Sequence, residues 1–256
     1  MIDLGSWREA VLAYAWWVHA AAAAAGFLLM YLGFSWGAWL LTRRVLPRMG
    51  IGRIIDSRVL PAGQIRREVG HSLVSIGIFS AYGALTVALE RAGFISIRWT
   101  ETPWTLVRDL LILTVFNEAH FYAVHRCLHT RWLMRHVHVV HHRSVIPTPF
   151  STYAFHWFEA TVLSSVMLLA LLIVDLGIGT VLLFPVISLA LNTIGHLNYA
   201  LLHNPSAEAF FAGCRRHSIH HAKSHGNYGF YLPFIDQWLG TRLPAGSAAG
   251  EEGHDR

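Results

Sequence analysis

The chain is 256 residues long, 54% hydrophobic and only 14% charged, against roughly 25% charged in an average soluble domain. Together with a mean hydropathy of +0.42, this excludes a disordered protein, a coiled coil and an ordinary soluble enzyme, because too little polar surface remains to cover a compact sphere. The net charge of +5 comes almost wholly from arginine, Lys223 being the only lysine, and in so apolar a chain that bias points to cytoplasmic loops rather than nucleic acid.

The first predicted element is a membrane span within Val11 to Leu41, a stretch without Asp, Glu, Lys or Arg and longer than the 20 or so helical residues a bilayer core needs. A cleaved signal ending in the alanines at 20–25 is the weaker reading, since the apolar run continues well past them and only Arg8 precedes it. An arginine-rich connection follows, with Arg43, Arg44, Arg48, Arg53, Arg58, Arg66 and Arg67 against Asp56 and Glu68. The second span is Ser72 to Leu89. A third, about Pro103 to Val124, carries Arg108, Asp109, Glu118 and His120. The last two form a hairpin, Ala160 to Val174 and Thr180 to about Leu202, reversing at residues 175–179 with Asp175 at the aqueous end and glycine supplying the turn. By the positive-inside rule the arginine-rich connection is cytoplasmic. The N-terminus is then outside, and residues 125–159 and 203–256 are both inside. The tail from Ala245 to Arg256 is small and polar, and disorder is expected there.

Seventeen histidines stand out, while Cys127 and Cys214 are the only cysteines, which leaves no disulfide framework, CxxC zinc site or iron–sulfur motif. No glycine-rich nucleotide loop and no HExxH occur either. The histidines gather as HxxxH (His125, His129), HxxHH (His138, His141, His142) and a second HxxHH (His217, His220, His221), with His196 more isolated. Positions i, i+3 and i+4 share a helix face, so imidazoles at these spacings converge on an ion. Three such motifs, all at predicted membrane ends, point to metal ligation, whereas lone residues such as His19, His71 and His254 read as interfacial side chains. Nine ligands exceed the four to six of a first-row ion, so two ions are expected, with their identity open among iron, zinc, copper and nickel. Neutral ligands leave the ions' charge uncompensated, so nearby carboxylates are expected to orient the rings. Glu118 is a candidate, on one helix stripe with Tyr122, His125 and His129, although pairing with Arg126 is its alternative; Asp236 is another. Cys127 points away from that stripe.

At these residues the chain resembles the fatty acid hydroxylase / sterol desaturase superfamily of membrane di-iron oxygenases. The resemblance runs from about Asn117 to Thr241: EAHFYAVHRCLH at 118–129, RHVHVVHHRS at 135–144, FHWFE at 155–159, HSIHHAKSHGNYG at 217–229 and FIDQWLGT at 234–241. It implies an all-α integral membrane fold with about four to five transmembrane helices and a cytoplasmic, helical, histidine-rich catalytic cap. Residues 1–102 would hold the first spans and the arginine-rich loop, 103–244 the catalytic domain with its hairpin, and 245–256 the tail. The implied metal ligands are His125, His129, His138, His141, His142, His196, His217, His220 and His221, with Glu118, Tyr122 and Asn192 as catalytic candidates. Asn192 stands where some members carry a further histidine, leaving an oxygen ligand or a water in its place, and Glu118 stands where aspartate is more frequent. His156 and His225 are expected to support the ligands rather than join them. The implied cofactor is a pair of iron ions, with zinc an alternative in purified protein. The implied reaction is hydroxylation of an unactivated C–H bond in an acyl or sterol-like lipid taken from the bilayer, with desaturation as its alternative. Electrons would come from a separate ferredoxin- or cytochrome-type donor and its reductase, since no flavin, nicotinamide or haem motif is visible. The rival readings are a haem-binding electron carrier and a metal transporter or sensor.

Overall fold

With no charged side chain to place, the N-terminal apolar run satisfies its backbone internally as helix. The computed structural model describes residues 2–3, 5–201 and 205–244. The expected disordered tail from Ala245 and the expected end of the last span at Leu202 lie outside the described residues. After a short strand β1 (Ile2–Asp3) come α1 (Gly5–Ala13) and α2 (Trp16–Leu40), so the stretch from Val11 to Leu41 is broken near Tyr14. A π-helical turn, Leu41–Val45, carries α2 on into α3 (Leu46–Arg48).

Then follow β2 (Arg53–Ile54), α4 (Gln64–Arg91), β3 (Ile97–Arg98), β4 (Thr100–Glu101) and α5 (Pro103–Leu128). The start of α5 is set by a capping box: Thr105 N–H donates to the Thr102 hydroxyl (3.1 Å), Thr102 N–H donates to the Thr105 hydroxyl (2.9 Å), and Pro103 stands in the first turn. Beyond it lie α6 (Arg131–Leu133), a π-helical turn at Met134–His138, α7 (Val139–His142) and a 3-10 turn at Pro149–Tyr153. The chain continues through α8 (Trp157–Leu171), β5 (Leu176–Gly177), α9 (Ile178–Gly195), β6 (Tyr199–Ala200), α10 (Pro205–Lys223) and α11 (Phe234–Trp238). The strands are two-residue staples: β1 with β4 and β2 with β6 antiparallel, β3 with β5 parallel.

The fold is all-α, and among the described residues three helical stretches are long and apolar enough to cross a membrane: Trp16–Arg48, Gln64–Arg91 and Ile178–Gly195. The other two predicted spans are also helices. One is α5, whose length is interrupted by Arg108, Asp109 and Glu118, and the other is α8, whose 15 residues are short for a bilayer. Helices α2 and α4 pack along each other, and small residues permit it: a Cβ on Gly83 would come within 3.2 Å of the Ala23 methyl.

Two buried carboxylates hold the α8–α9 hairpin. Asp109, fully buried, accepts from Gly177 N–H (3.0 Å), from Arg108 (2.8 Å) and from Arg98, while Glu101 accepts from Gly179 N–H (2.8 Å). Glycine is needed at 177 for close approach, not for a left-handed turn: its φ is −75°, but a Cβ there would overlap the Glu101 carboxylate.

At the other end of α4, Glu68 accepts from Ser144 (2.7 Å), Thr148 (2.5 Å) and Gln64 (2.8 Å). This latches the loop that follows His142 onto the bundle. The next residues are locked by Tyr31, whose hydroxyl donates to Phe150 O (2.9 Å), and by Ser35, which donates to Pro149 O (3.0 Å). The chain that follows the first HxxHH is therefore held in place before any ligand is considered.

Candidate metal centre

The last turns of α5, the π-helical turn with α7, the end of α9 and the last turns of α10 bring the nine histidines together. They sort into two groups: His125, His129, His138, His142 and His220, and His141, His196, His217 and His221. Within each group the facing ring nitrogens lie within 4.8 Å of one another. The groups adjoin, for the His142 and His221 rings stack with centroids 4.8 Å apart. Each HxxHH motif contributes to both groups. Its i and i+4 histidines (His138 and His142; His217 and His221) enter one, and the i+3 histidine (His141; His220) enters the other. The π-helical turn at Met134–His138 ends on the first histidine of the first set, and such turns are frequent at functional sites.

The proton positions follow from the partners. His125 Nδ1–H donates to Tyr228 O (2.9 Å), His129 to Ser224 O (3.0 Å), His196 to Asn192 O (2.7 Å) and His220 to Gly226 O (2.7 Å). A carbonyl only accepts, so Nδ1 carries the proton and Nε2 presents its lone pair inward. Nε2 atoms then face one another at 2.9 Å (His196–His217), 3.0 Å (His217–His221), 3.1 Å (His142–His220) and 3.2 Å (His141–His221).

An ion about 2.1 Å from each of two cis nitrogens sets them about 3.0–3.4 Å apart, so the donor set fits metal ions. The His138 Nε2, buried and without a hydrogen-bond partner among the described residues, agrees. Burial also keeps these rings in the neutral form that binds metal. It pushes His129 and His196 down to about 4 and His220 to about 3, and holds His138, His141, His142, His217 and His221 well below the ordinary imidazole value.

The carboxylate that touches a ring is one the sequence did not single out. Glu159, in the first turn of α8 and 1% exposed, accepts from His138 Nδ1–H at 2.8 Å. Its signal was present in the FHWFE block, but a contact between residues 138 and 159 has no spacing rule.

Glu118 accepts from Tyr231 N–H (3.0 Å) and Leu232 N–H (3.1 Å), so it ties α5 to the segment before α11. Arg126 donates to the Tyr122 hydroxyl (2.9 Å) instead of pairing with Glu118, and that hydroxyl lies 3.1 Å from the Thr241 hydroxyl. Asp236 accepts from Tyr228 N–H and Gly229 N–H, both at 2.8 Å, and so steadies the carbonyl to which His125 donates. Asn192 donates to Thr152 O (3.0 Å). His156 caps α8, and His225 Nδ1 lies 2.8 Å from Lys223 O; neither is in a histidine group. Cys127 is exposed.

Beside the centre lies an apolar cavity of about 540 Å³ between α2, α4, α5, α8 and α9. Phe121, Phe155, Leu163 and Asn192 border both this cavity and a narrow space lined by His125, His138, His141, His196 and His217. The imidazoles therefore stand at one end of a lipid-sized chamber.

Comparison with known proteins agrees with this geometry. The fatty acid hydroxylase family model matches residues 110–241. The chain is 26% identical over 228 residues to a Delta(7)-sterol 5(6)-desaturase of Gibberella zeae, covering 85% of this chain and 64% of that one. It is 30% identical over 152 residues to methylsterol monooxygenase 1 of Gallus gallus (57% and 51%), and 27% identical over 154 residues to a very-long-chain aldehyde decarbonylase of Oryza sativa (54% and 24%). The chain thus spans less than two thirds of the length of these relatives. No solved structure matches it. With half of its length matched by the family model, and with every histidine motif inside that match, the chain belongs to the fatty acid hydroxylase family.

Proposed function

We propose that this protein is a membrane lipid oxygenase that hydroxylates an unactivated C–H bond, using dioxygen and two electrons from a separate protein donor. The observation that carries the reading is the arrangement of nine inward-facing imidazole nitrogens, in adjoining groups of five and four, at the end of an apolar cavity. His125, His129, His138, His142 and His220 would hold one iron, and His141, His196, His217 and His221 the other. Held there, a pair of reduced iron ions would supply the dioxygen chemistry and the oxidising equivalents that C–H cleavage needs.

The chain's own residues do the rest. Backbone carbonyls and Glu159 keep the Nδ1 protons in place, so every fixed ring offers the same face. The apolar walls keep water from the reacting carbon. Phe121, Phe155 and Asn192 shape the opening through which a lipid segment reaches the centre. The overall balance is one lipid C–H, dioxygen, two electrons and two protons giving the alcohol and water. Removal of a second hydrogen instead gives an alkene and two waters, and the likeness to a sterol desaturase favours that alternative.

The arginine-rich connection supports a cytoplasmic metal face and an outside N-terminus. Mass spectrometry of lipids from cells with and without the gene tests the proposal. A product heavier by one oxygen supports hydroxylation, one lighter by two hydrogens supports desaturation, and an unchanged lipidome counts against both. Purified protein with NADPH and oxygen alone is expected to be inactive, and turnover under those conditions would overturn the separate donor.

A further inference from the structure

The cavity has two unlike ends. One meets the histidines at Phe121 and Phe155. The other, at the C-terminal end of α4, is lined by Glu90, Thr86, Trp99 and His19. Helix geometry separates them widely: Ser72, which donates to Phe150 O beside the loop that follows the first HxxHH, is eighteen residues from Glu90, about 27 Å along α4.

Glu90 is only 5% exposed, and a buried carboxylate facing an apolar chamber is costly unless something meets it. Trp99 Nε1–H donates to its Oε1 (2.9 Å), as does Arg8 Nε–H (3.2 Å). Both of these bonds go to Oε1, and the buried His19 Nε2 on the facing helix α2 has no hydrogen-bond partner among the described residues. Arg8, about half exposed, marks the polar boundary just beyond.

We propose that this end is a head-group site for a lipid alcohol, with the substrate's hydroxyl donating to Glu90 and its apolar body running toward the histidines. This rests on the oxygenase reading above and adds a constraint to it. The cavity lining runs from His19 to Met30 on α2 and from Phe79 to Glu90 on α4. Eleven residues of helix are about 17 Å, so a head anchored at Glu90 places the reacting carbon about that far away. The hydroxyl end is held and a remote C–H is oxidised. A structural role for Glu90 as partner of Trp99 and Arg8 accounts for one oxygen only.

The test embeds the full chain in nanodiscs with two photoreactive probes: a long-chain primary alcohol carrying a diazirine beside its hydroxyl carbon, and the alkane with the same diazirine near its end. Crosslinked peptides are mapped by mass spectrometry. The alcohol is expected to label peptides holding Thr86, Glu90 and Trp99 about tenfold over those holding Phe121 and Phe155, the size expected for a hydrogen bond to a charged acceptor. The alkane is expected to label both ends. Glu90→Gln is expected to lower the alcohol's preference several-fold while leaving the metal content unchanged.

Equal labelling of both ends by the alcohol, or labelling mainly at Phe121 and Phe155, would overturn the head-group site and leave the oxygenase reading standing. Failure of either probe to label the cavity would remove the lipid reading itself, and this site with it.

Discussion

At the α8–α9 hairpin Asp109 accepts from Arg98, Arg108 and Gly177 N–H, and Glu101 accepts from Gly179 N–H. At the opposite end of the bundle nine imidazoles gather, five of them (His125, His129, His138, His196 and His220) donating Nδ1–H outward, and Nε2 atoms face one another as close as 2.9 Å. Both regions bury polar atoms, but the first provides a donor for each acceptor, whereas in the second the His129 and His220 Nε2 atoms, both acceptors, face each other at 3.2 Å with no proton between them. Buried acceptors crowded together without protons are unfavourable unless a cation joins them. A satisfied buried carboxylate therefore marks structure, and a crowd of unmet lone pairs marks a binding centre.

The largest effect that tests this contrast is at His141, which belongs to the four-histidine group. His141→Ala is expected to bring product formation to background and to lower bound metal, read by elemental analysis. Wild-type metal content in that variant would break the ligand assignment. Asp109→Ala is next. Removing one partner of a buried ion pair strands the other charges, and a loss of about 3 kcal/mol in stability is expected. Metal per folded chain should stay unchanged, and its loss from a protein that still folds would show that the two ends are not separate. Glu159→Gln sharpens the comparison within the centre. It weakens the acceptor for His138 Nδ1–H, and about a tenfold drop in metal affinity is expected by chelator competition, with little change in unfolding temperature. His254→Ala, in the tail outside the described residues, should alter neither activity nor metal content, and a measurable loss of metal there would mean that the nine histidines are not the whole set.

Histidine spacing made the centre legible because ligands on one helix turn obey a local rule. His125 and His129, His138 and His142, and His217 and His221 are all i, i+4 pairs, and each pair enters a single group. His196 carries no such spacing. Its place beside His217, with ring centroids 4.2 Å apart, depends on α9 ending at Gly195 and on α10 packing against it. The stripe of Glu118, Tyr122, His125 and His129 is real as one face of α5, but only His125 and His129 reach the centre. The Glu118 carboxylate is taken up by the backbone of Tyr231 and Leu232, more than a hundred residues away.

Composition, uncharged runs and imidazole spacing by themselves determined a helical membrane protein with a multi-histidine metal motif, since these depend on neighbours within a turn or two. Which histidine joins which group, the pairing of Glu159 with His138, the latch at Glu68 and the cavity from Glu90 to Phe155 were decided only by tertiary packing. Each of these joins residues distant in sequence, and hydrogen-bond direction and helix contact, which select them, leave no periodic trace along the chain.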